Sequence, residues 1–222
     1  MIYMAKKTFA VIGLGRFGSA VVEELIKSNH EVLVIDRDKD RIDKVSKIAT
    51  HAVVLNTSDE SALKEVGIQS IDHVIVAIGK DIEDSILTTL ILKELGVKKI
   101  TVKVQNQYHE EVVKRLGADE TIQPERITGM RLAHRIISES VLEFYDLSEE
   151  HSFIELEATQ KIINTTVANL DLREKFRINL VAIKRGNDII IPRPDDSFDL
   201  NDHLLLVGKN ADLNKFSTWC EK

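Results

Sequence analysis

Over the first half of the chain, short runs of apolar residues alternate with segments in which apolar residues recur every three or four positions. The runs at 9–12, 32–35, 52–55, 73–77, 100–104 and 120–122 have the length and β-branched content of buried strands. The segments between them, 17–27, 38–48, 59–66, 82–95 and 109–116, carry the helical period. Strand and helix in strict alternation is the pattern of parallel strands joined by crossover helices. Six strands with five helices predict an α/β, doubly wound parallel sheet. The helix ends agree: Ser58-Asp59-Glu60 opens one helix with an acidic first turn, and Gly67, Gly96 and Gly117 follow the last turns of three.

From Pro124 the alternation stops. The segment 125–144 reads as one long connecting helix with no parallel strand after it. Beyond it, 153–158 alternates Ile154, Leu156 and Ala158 with Phe153, Glu155 and Glu157, the period of a half-buried strand. A short helix at 167–172 follows, then strands at 180–184 and 189–191 around the turn Gly186-Asn187. A loop holding Pro192 and Pro194, a strand at 204–207 and a closing helix at 211–219 complete the chain. The expected division is a sheet domain with its connector helix, 1–140, and a small α+β domain, 141–222.

Composition narrows the classes. Hydrophobic residues at 43% against 30% charged describe a folding chain. No apolar run approaches the roughly 18 residues of a membrane span, and Met1 to Lys7 lead into the first strand without a signal-peptide core, so the chain is expected to stay cytosolic. Cys220 is the only cysteine, which excludes a disulfide framework within one chain. Residues 1–140 hold 20 basic and 21 acidic side chains and residues 141–222 hold 10 and 15. Neither half has the basic excess that nucleic acid or an anionic membrane surface requires.

Candidate chemistry centres on Gly13-Leu14-Gly15-Arg16-Phe17-Gly18, between the first strand and the first helix. In that setting Gly13 makes the tight turn, Gly15 lets the backbone approach a phosphate, and Gly18 lets the helix pack close to the sheet. The amides of the first helical turn then face an anion. This is the loop of a Rossmann-like sheet, and Asp36, ending the second strand, offers a carboxylate to a ribose diol. A pyrophosphate held by amides does not require Arg16, whereas a terminal β- or γ-phosphate carries charge that a guanidinium takes bidentately, so Arg16 suggests a mononucleotide polyphosphate, with a solvated arginine as the open alternative. Arg37 suggests a 2′-phosphate clamp, but Asp36 beside it would repel that phosphate, so an ordinary ribose contact is expected there. Asn56-Thr57, Ala77-Ile78-Gly79 and Lys103 lie at other strand ends, where open parallel sheets bind ligands; for Asn56 and Lys103 a capping or solvated role stands equally open. Glu125, after Pro124, is a candidate metal ligand, although the helix dipole alone favours an acid there. The second half holds no recognisable acid or base with an orienting partner, so a non-enzymatic role is expected.

The stretch from Phe9 to Gly18, with Asp36, Val74 to Gly79, Lys103-Val104-Gln105-Asn106, Gly117-Ala118-Asp119 and Pro124-Glu125, resembles the RCK (KTN) cytosolic gating subunits of bacterial Ktr potassium uptake systems. Leu170-Asp171-Leu172-Arg173 and the stretch from Asn179 to Gly186 resemble the RCK C-terminal (TrkA-C) domain. The resemblance implies a homo-oligomer, dimers assembling into an octameric ring, that docks on the inner face of a membrane potassium-translocating subunit. It implies ATP or ADP in the N-terminal (TrkA-N) domain, with Arg16 at the terminal phosphate and Asp36 at the ribose. Glu125 would stand near a divalent cation, Mg2+ or Ca2+, between paired subunits. In the C-terminal domain it implies cyclic di-AMP at a dimer interface, with Asp171, Arg173 and Asn179 matching polar positions of the pocket and Pro194 in a nearby loop. Arg177 departs from the pattern, since relatives often have glycine there; it reshapes the turn or adds a phosphate contact. The rival class is an NAD-dependent oxidoreductase or NADH-sensing redox regulator, which Arg16 and the missing catalytic domain disfavour.

Overall fold

Six parallel strands in the order β3-β2-β1-β4-β5-β6 form the sheet of the first half. They are β1 (Thr8–Ile12), β2 (Glu31–Asp36), β3 (His51–Val54), β4 (His73–Val76), β5 (Ile100–Lys103) and β6 (Glu120–Ile122). Between them run α1 (Arg16–Lys27), α2 (Lys39–Val45), α3 (Glu60–Glu65), α4 (Ile82–Glu94) and α5 (Gln107–Leu116). The computed structural model describes residues 7–137 and 141–221. The chain separates into two compact units, one ending at Pro124 and one beginning at Glu125.

Position along each strand decides which layer a side chain enters. Ala10, Ile12, Leu33, Ile35, Val74, Val76, Ile100 and Val102 pack with Leu63 of α3, Ile91 and Leu92 of α4 and Val113 of α5. Val11, Val32, Val34 and Ile75, one residue out of step, pack with Val22 of α1 and with Ile42 and Val45 of α2. Both faces of the central strands are therefore covered, which is why they read as continuous apolar runs. β1 lies between β2 and β4, where the strand order reverses, and the crevice beyond its carboxyl end is the expected ligand position.

The second unit contains α6 (Pro124–Ile137), which the sequence places with the first domain, and a five-stranded antiparallel sheet. The strands are β7 (Val141–Asp146), β8 (His151–Glu157), β9 (Asn179–Arg185), β10 (Asp188–Ile190) and β11 (His203–Lys209), in the order β10-β9-β11-β8-β7. Ile154, Leu156, Ile183, Leu204 and Leu206 cover one face and meet Phe176 of α8 (Leu172–Phe176) and Phe216 of α9 (Asn210–Glu221). The rings of Phe176 and Phe216 meet edge to face at 4.9 Å.

Two expected elements change. The segment 141–144, expected in the connecting helix, belongs instead to the edge strand β7 (Val141–Asp146). The run from Val141 to Tyr145 supports either period, and pairing with β8 settles it; a register shift between Val141 and Glu143 breaks the alternation that would have marked a strand. The helix expected at 167–172 is divided at Asp171, whose left-handed backbone (φ 49°) separates α7 (Val167–Leu170) from α8. Parts of two other readings, residues 1–6 of the amino terminus and 138–140 of the connector, lie outside the described residues. Among the described residues, no helix is long and apolar enough to cross a membrane.

Candidate functional site

The glycine loop leaves β1 in a turn that only glycine accommodates. Gly13 has φ 95°, and a Cβ there would stand 3.0 Å from the backbone of Ala77 at the end of β4. Its N–H donates to the Ile35 carbonyl oxygen at 2.8 Å, and the Ala77 N–H donates to that of Ile12 at 2.7 Å, so the loop is tied to both neighbouring strands. A Cβ on Gly18 would collide with the Gly13 carbonyl oxygen, which shows how closely α1 sits on the loop. Gly15 is different, since the space where its Cβ would lie is open to 4 Å. That opening faces the start of α1.

The helix ends around the sheet are capped unequally. Side chains of Asp38, Asp59, Asp81 and Asn106 accept from amides in the first turns of α2, α3, α4 and α5. α1 begins at Gly15 with no side-chain cap and no acid in its first turn. Its amides and the positive end of its dipole are left to an outside anion. Arg16, the first residue of α1, is exposed, and its guanidinium makes no hydrogen bond or ion pair with a described residue.

Asp36 closes the other side of the loop. It is buried, and its Oδ2 accepts the Leu14 N–H at 2.6 Å while its Oδ1 accepts the Asp38 N–H at 2.9 Å. Arg41 of α2 approaches the same carboxylate at 3.4 Å, a partner that no local sequence signal announces. At the end of β5, the Lys103 ammonium lies 5.8 Å from the centroid of the Phe17 ring and beside Gly79. Gln105 Nε2 donates to the Gly79 carbonyl oxygen at 2.9 Å, a contact that links the β4 and β5 loops and that sequence reading missed. The fold thus gathers Gly13 to Gly18, Asp36, Ala77, Ile78, Gly79 and Lys103 around one crevice.

The remaining candidates are placed otherwise. Arg37 turns to Asp84 of α4 at 3.0 Å, and Ser58 reaches the other oxygen of that carboxylate at 3.3 Å. Asn56 uses its side chain to accept the Ser58 N–H, an Asx turn. Thr57 is buried with its hydroxyl 2.7 Å from that of Thr88, facing α4. Glu125 is exposed in the first turn of α6, in the second unit. Among the described residues, no group of three or more His, Cys, Asp or Glu gathers to hold a metal.

In the second unit, Asp171 sits at the break between α7 and α8, and Pro194 belongs to a loop that closes the start of α7. The carbonyl oxygens of Asp196 and Pro194 accept the N–H groups of Val167 and Ala168, both at 2.9 Å. Arg185 holds the far end of that loop through paired 2.8 Å bonds to Asp202, whose carboxyl stays below the usual range despite burial because Arg185 and the Asp199 amide donate to it. Arg173 is exposed, and its guanidinium forms no ion pair with Asp171, Glu174 or any other described residue. Asn179, at the start of β9, lines an open depression with Arg177 and Lys209; Asp171, Arg173 and Pro194 do not line it.

Residues 9–124 match the TrkA-N domain and residues 152–220 the TrkA-C domain. The chain is 49% identical over 212 residues to the Ktr system potassium uptake protein C of Bacillus subtilis, covering 95% of this chain and 96% of that one. It is 42% identical over 211 residues to the Ktr system potassium uptake protein A of the same organism, with 95% of each chain covered. Among solved structures, the GsuK RCK domain superposes with a TM-score of 0.70 at 16% identity, over 100% of this chain and 49% of that one. Two domain matches in this order, and relatives of the same length at this identity, place the chain in the RCK family, as a regulatory subunit of Ktr potassium uptake.

Proposed function

We propose that the chain is a cytoplasmic, non-enzymatic regulator that senses ATP and ADP at the glycine loop and gates a membrane potassium-translocating subunit of the Ktr type. The observation that carries this reading is the uncapped start of α1 beside the open face of Gly15, with the exposed guanidinium of Arg16, which no described residue pairs, as the first residue of that helix. Amides suffice for an internal phosphate; the additional cation suits the higher charge of a terminal one. Asp36 would take the ribose through its remaining acceptor capacity. A ligand shifts a conformational equilibrium only by binding one state better than another. ATP, with one more phosphate than ADP, has the means to do so, and a divalent cation at Glu125 would need further ligands from a second copy of the chain. In the second unit, the exposed Arg173 and the polar groups of Asp171 and Asn179, with Pro194, would meet cyclic di-AMP across a two-fold dimer interface.

A nucleotide panel by thermal shift tests the N-terminal site, because a ligand that binds only the folded chain stabilises it in proportion to ln(1 + [L]/Kd). ATP and ADP should each raise the melting temperature. Arg16→Ala should weaken ATP about tenfold, the equivalent of roughly 1.5 kcal/mol for one charge-assisted contact, and ADP less. Equal losses for both nucleotides, or a preference for NADH over either, would favour the redox-sensor reading.

A further inference from the structure

Asp36 is not a bare carboxylate. Its two oxygens accept the Leu14 and Asp38 amides at 2.6 Å and 2.9 Å, and the Arg41 guanidinium stands 3.4 Å away. A carboxylate compensated in this way repels a neighbouring phosphate less than its formal charge suggests. Refusal of a phosphate on the ribose 2′-oxygen then depends on where the nearby guanidiniums are held. Arg41 is divided between Asp36 and Asp38, at 3.4 Å and 3.3 Å. Arg37 follows Asp36 directly, and an arginine in that place is the ordinary partner of a 2′-phosphate. Here it is engaged elsewhere, by Asp84 of α4 at 3.0 Å. Asp84 is built to keep hold of it. Its N–H donates to the Asp81 side chain at 3.1 Å, its Oδ1 accepts the Ser58 hydroxyl at 3.3 Å, and its place in the first turn of α4 favours the ionised form. The Asp84 side chain is 28% exposed against 67% for Arg37, so the acid is the fixed partner and the arginine the movable one.

We infer that Asp84 is a positioning residue for nucleotide specificity. By holding Arg37 it denies a cation to a 2′-phosphate, and the crevice takes nucleotides with a free 2′-hydroxyl in preference to those phosphorylated there. The inference rests on the nucleotide site proposed above and names one boundary of what that site admits. An exposed ion pair is weak by itself, so breaking it changes the preference severalfold rather than by orders of magnitude.

The test is a competition titration on the full-length chain, in which AMP or adenosine 2′,5′-bisphosphate displaces ADP. The two probes differ only by the 2′-phosphate, and their ratio within one variant cancels any loss of stability that affects both. ADP binding to the wild type is read first; its absence overturns the nucleotide site and this inference with it. The wild type should favour AMP. In Asp84→Asn, and in Asp84→Ala as a second variant, that preference should fall at least threefold. Adding Arg37→Ala to either should restore it, because the gain passes through the released guanidinium. ADP binding with an unchanged preference in both Asp84 variants overturns the inference alone, as does a wild type that favours the bisphosphate. A fall that persists without Arg37 also overturns it, since removal of one negative charge then accounts for the change.

Discussion

Gly18 shows how little room the nucleotide loop leaves. Its missing side chain is demanded by the Gly13 carbonyl oxygen, and the Ala77 Cβ stands 3.2 Å from the same point. Gly18→Ala must push α1 off the sheet, a distortion that costs about 1–3 kcal/mol in tightly packed settings. The expected outcome is a lower melting temperature together with loss of the ATP-induced shift, since the displaced helix start no longer presents its amides. An alanine variant that melts like the wild type and still responds to ATP would show that the loop is looser than its geometry. Gly15→Ala makes the contrast, because open space at that position predicts a folded chain with impaired phosphate approach. At the same scale, Asp36 is oriented by the Leu14 and Asp38 amides before any ligand arrives, so its carboxylate needs little reorganisation to meet a ribose.

At the scale of the element, α5 carries a titratable group into the core. His109 lies in its first turn, 2% exposed, with Nδ1 accepting the Gln105 N–H at 3.3 Å and Nε2 buried without a partner among the described residues. Burial holds its pKa below the ordinary histidine value, and burial with the nearby Lys99 does the same to His73 on β4. The unfolded chain therefore takes up protons near pH 6.5 that the folded chain refuses, and stability falls as pH drops through that value. Urea midpoints should be lower at about pH 5.5 than at about pH 7.5, and His109→Gln should narrow the difference. Identical midpoints at the two values would show that both imidazoles reach solvent without unfolding. A second, more acidic window belongs to Asp72, held at about 2 by the Lys98 side chain and the Thr8 amide and hydroxyl; what it contributes is present above the usual carboxylate range and disappears below it. In the second unit α9 buries Cys220 beside Phe216, and burial pushes the thiol up to about 12, so it serves as packing and is poorly suited to redox chemistry.

For the molecule as a whole, the surface of α6 is the clearest sign that one chain is not the working unit. Ile127, Met130, Leu132, Ile136 and Ile137 are between 38% and 81% exposed, an apolar display that soluble monomers rarely leave to water. Covering such residues in a symmetric assembly is the economical solution. If the octameric ring of dimers that the resemblance implies is the assembly, the mass measured by light scattering should lie near eight times 25.1 kDa. Replacing Ile136 and Ile137 by glutamate should lower that mass while leaving the circular dichroism of the fold unchanged. A wild-type monomer at all micromolar concentrations would remove the ring, and with it the proposed cation between paired subunits.

The alternation of strands and helices, the glycine loop and the carboxylate at the end of β2 were all legible along the chain, because each rests on local periodicity or on residues a few positions apart. Gly13 and Gly18 announce their backbone roles by type and spacing, and the apolar runs of β1, β2 and β4 announce a sheet covered on both faces. What only the tertiary structure decided involves partners far apart in sequence. Thr57 is taken into the core by Thr88, Arg37 is turned aside by Asp84, and β7 exists because β8 offers it an edge. The break at Asp171 and the grouping of Arg177 with Lys209 likewise depend on how helices and strands close over one core. Local pattern sets what each segment tends to be; long-range pairing and burial choose among its options and determine which polar groups are left facing a ligand.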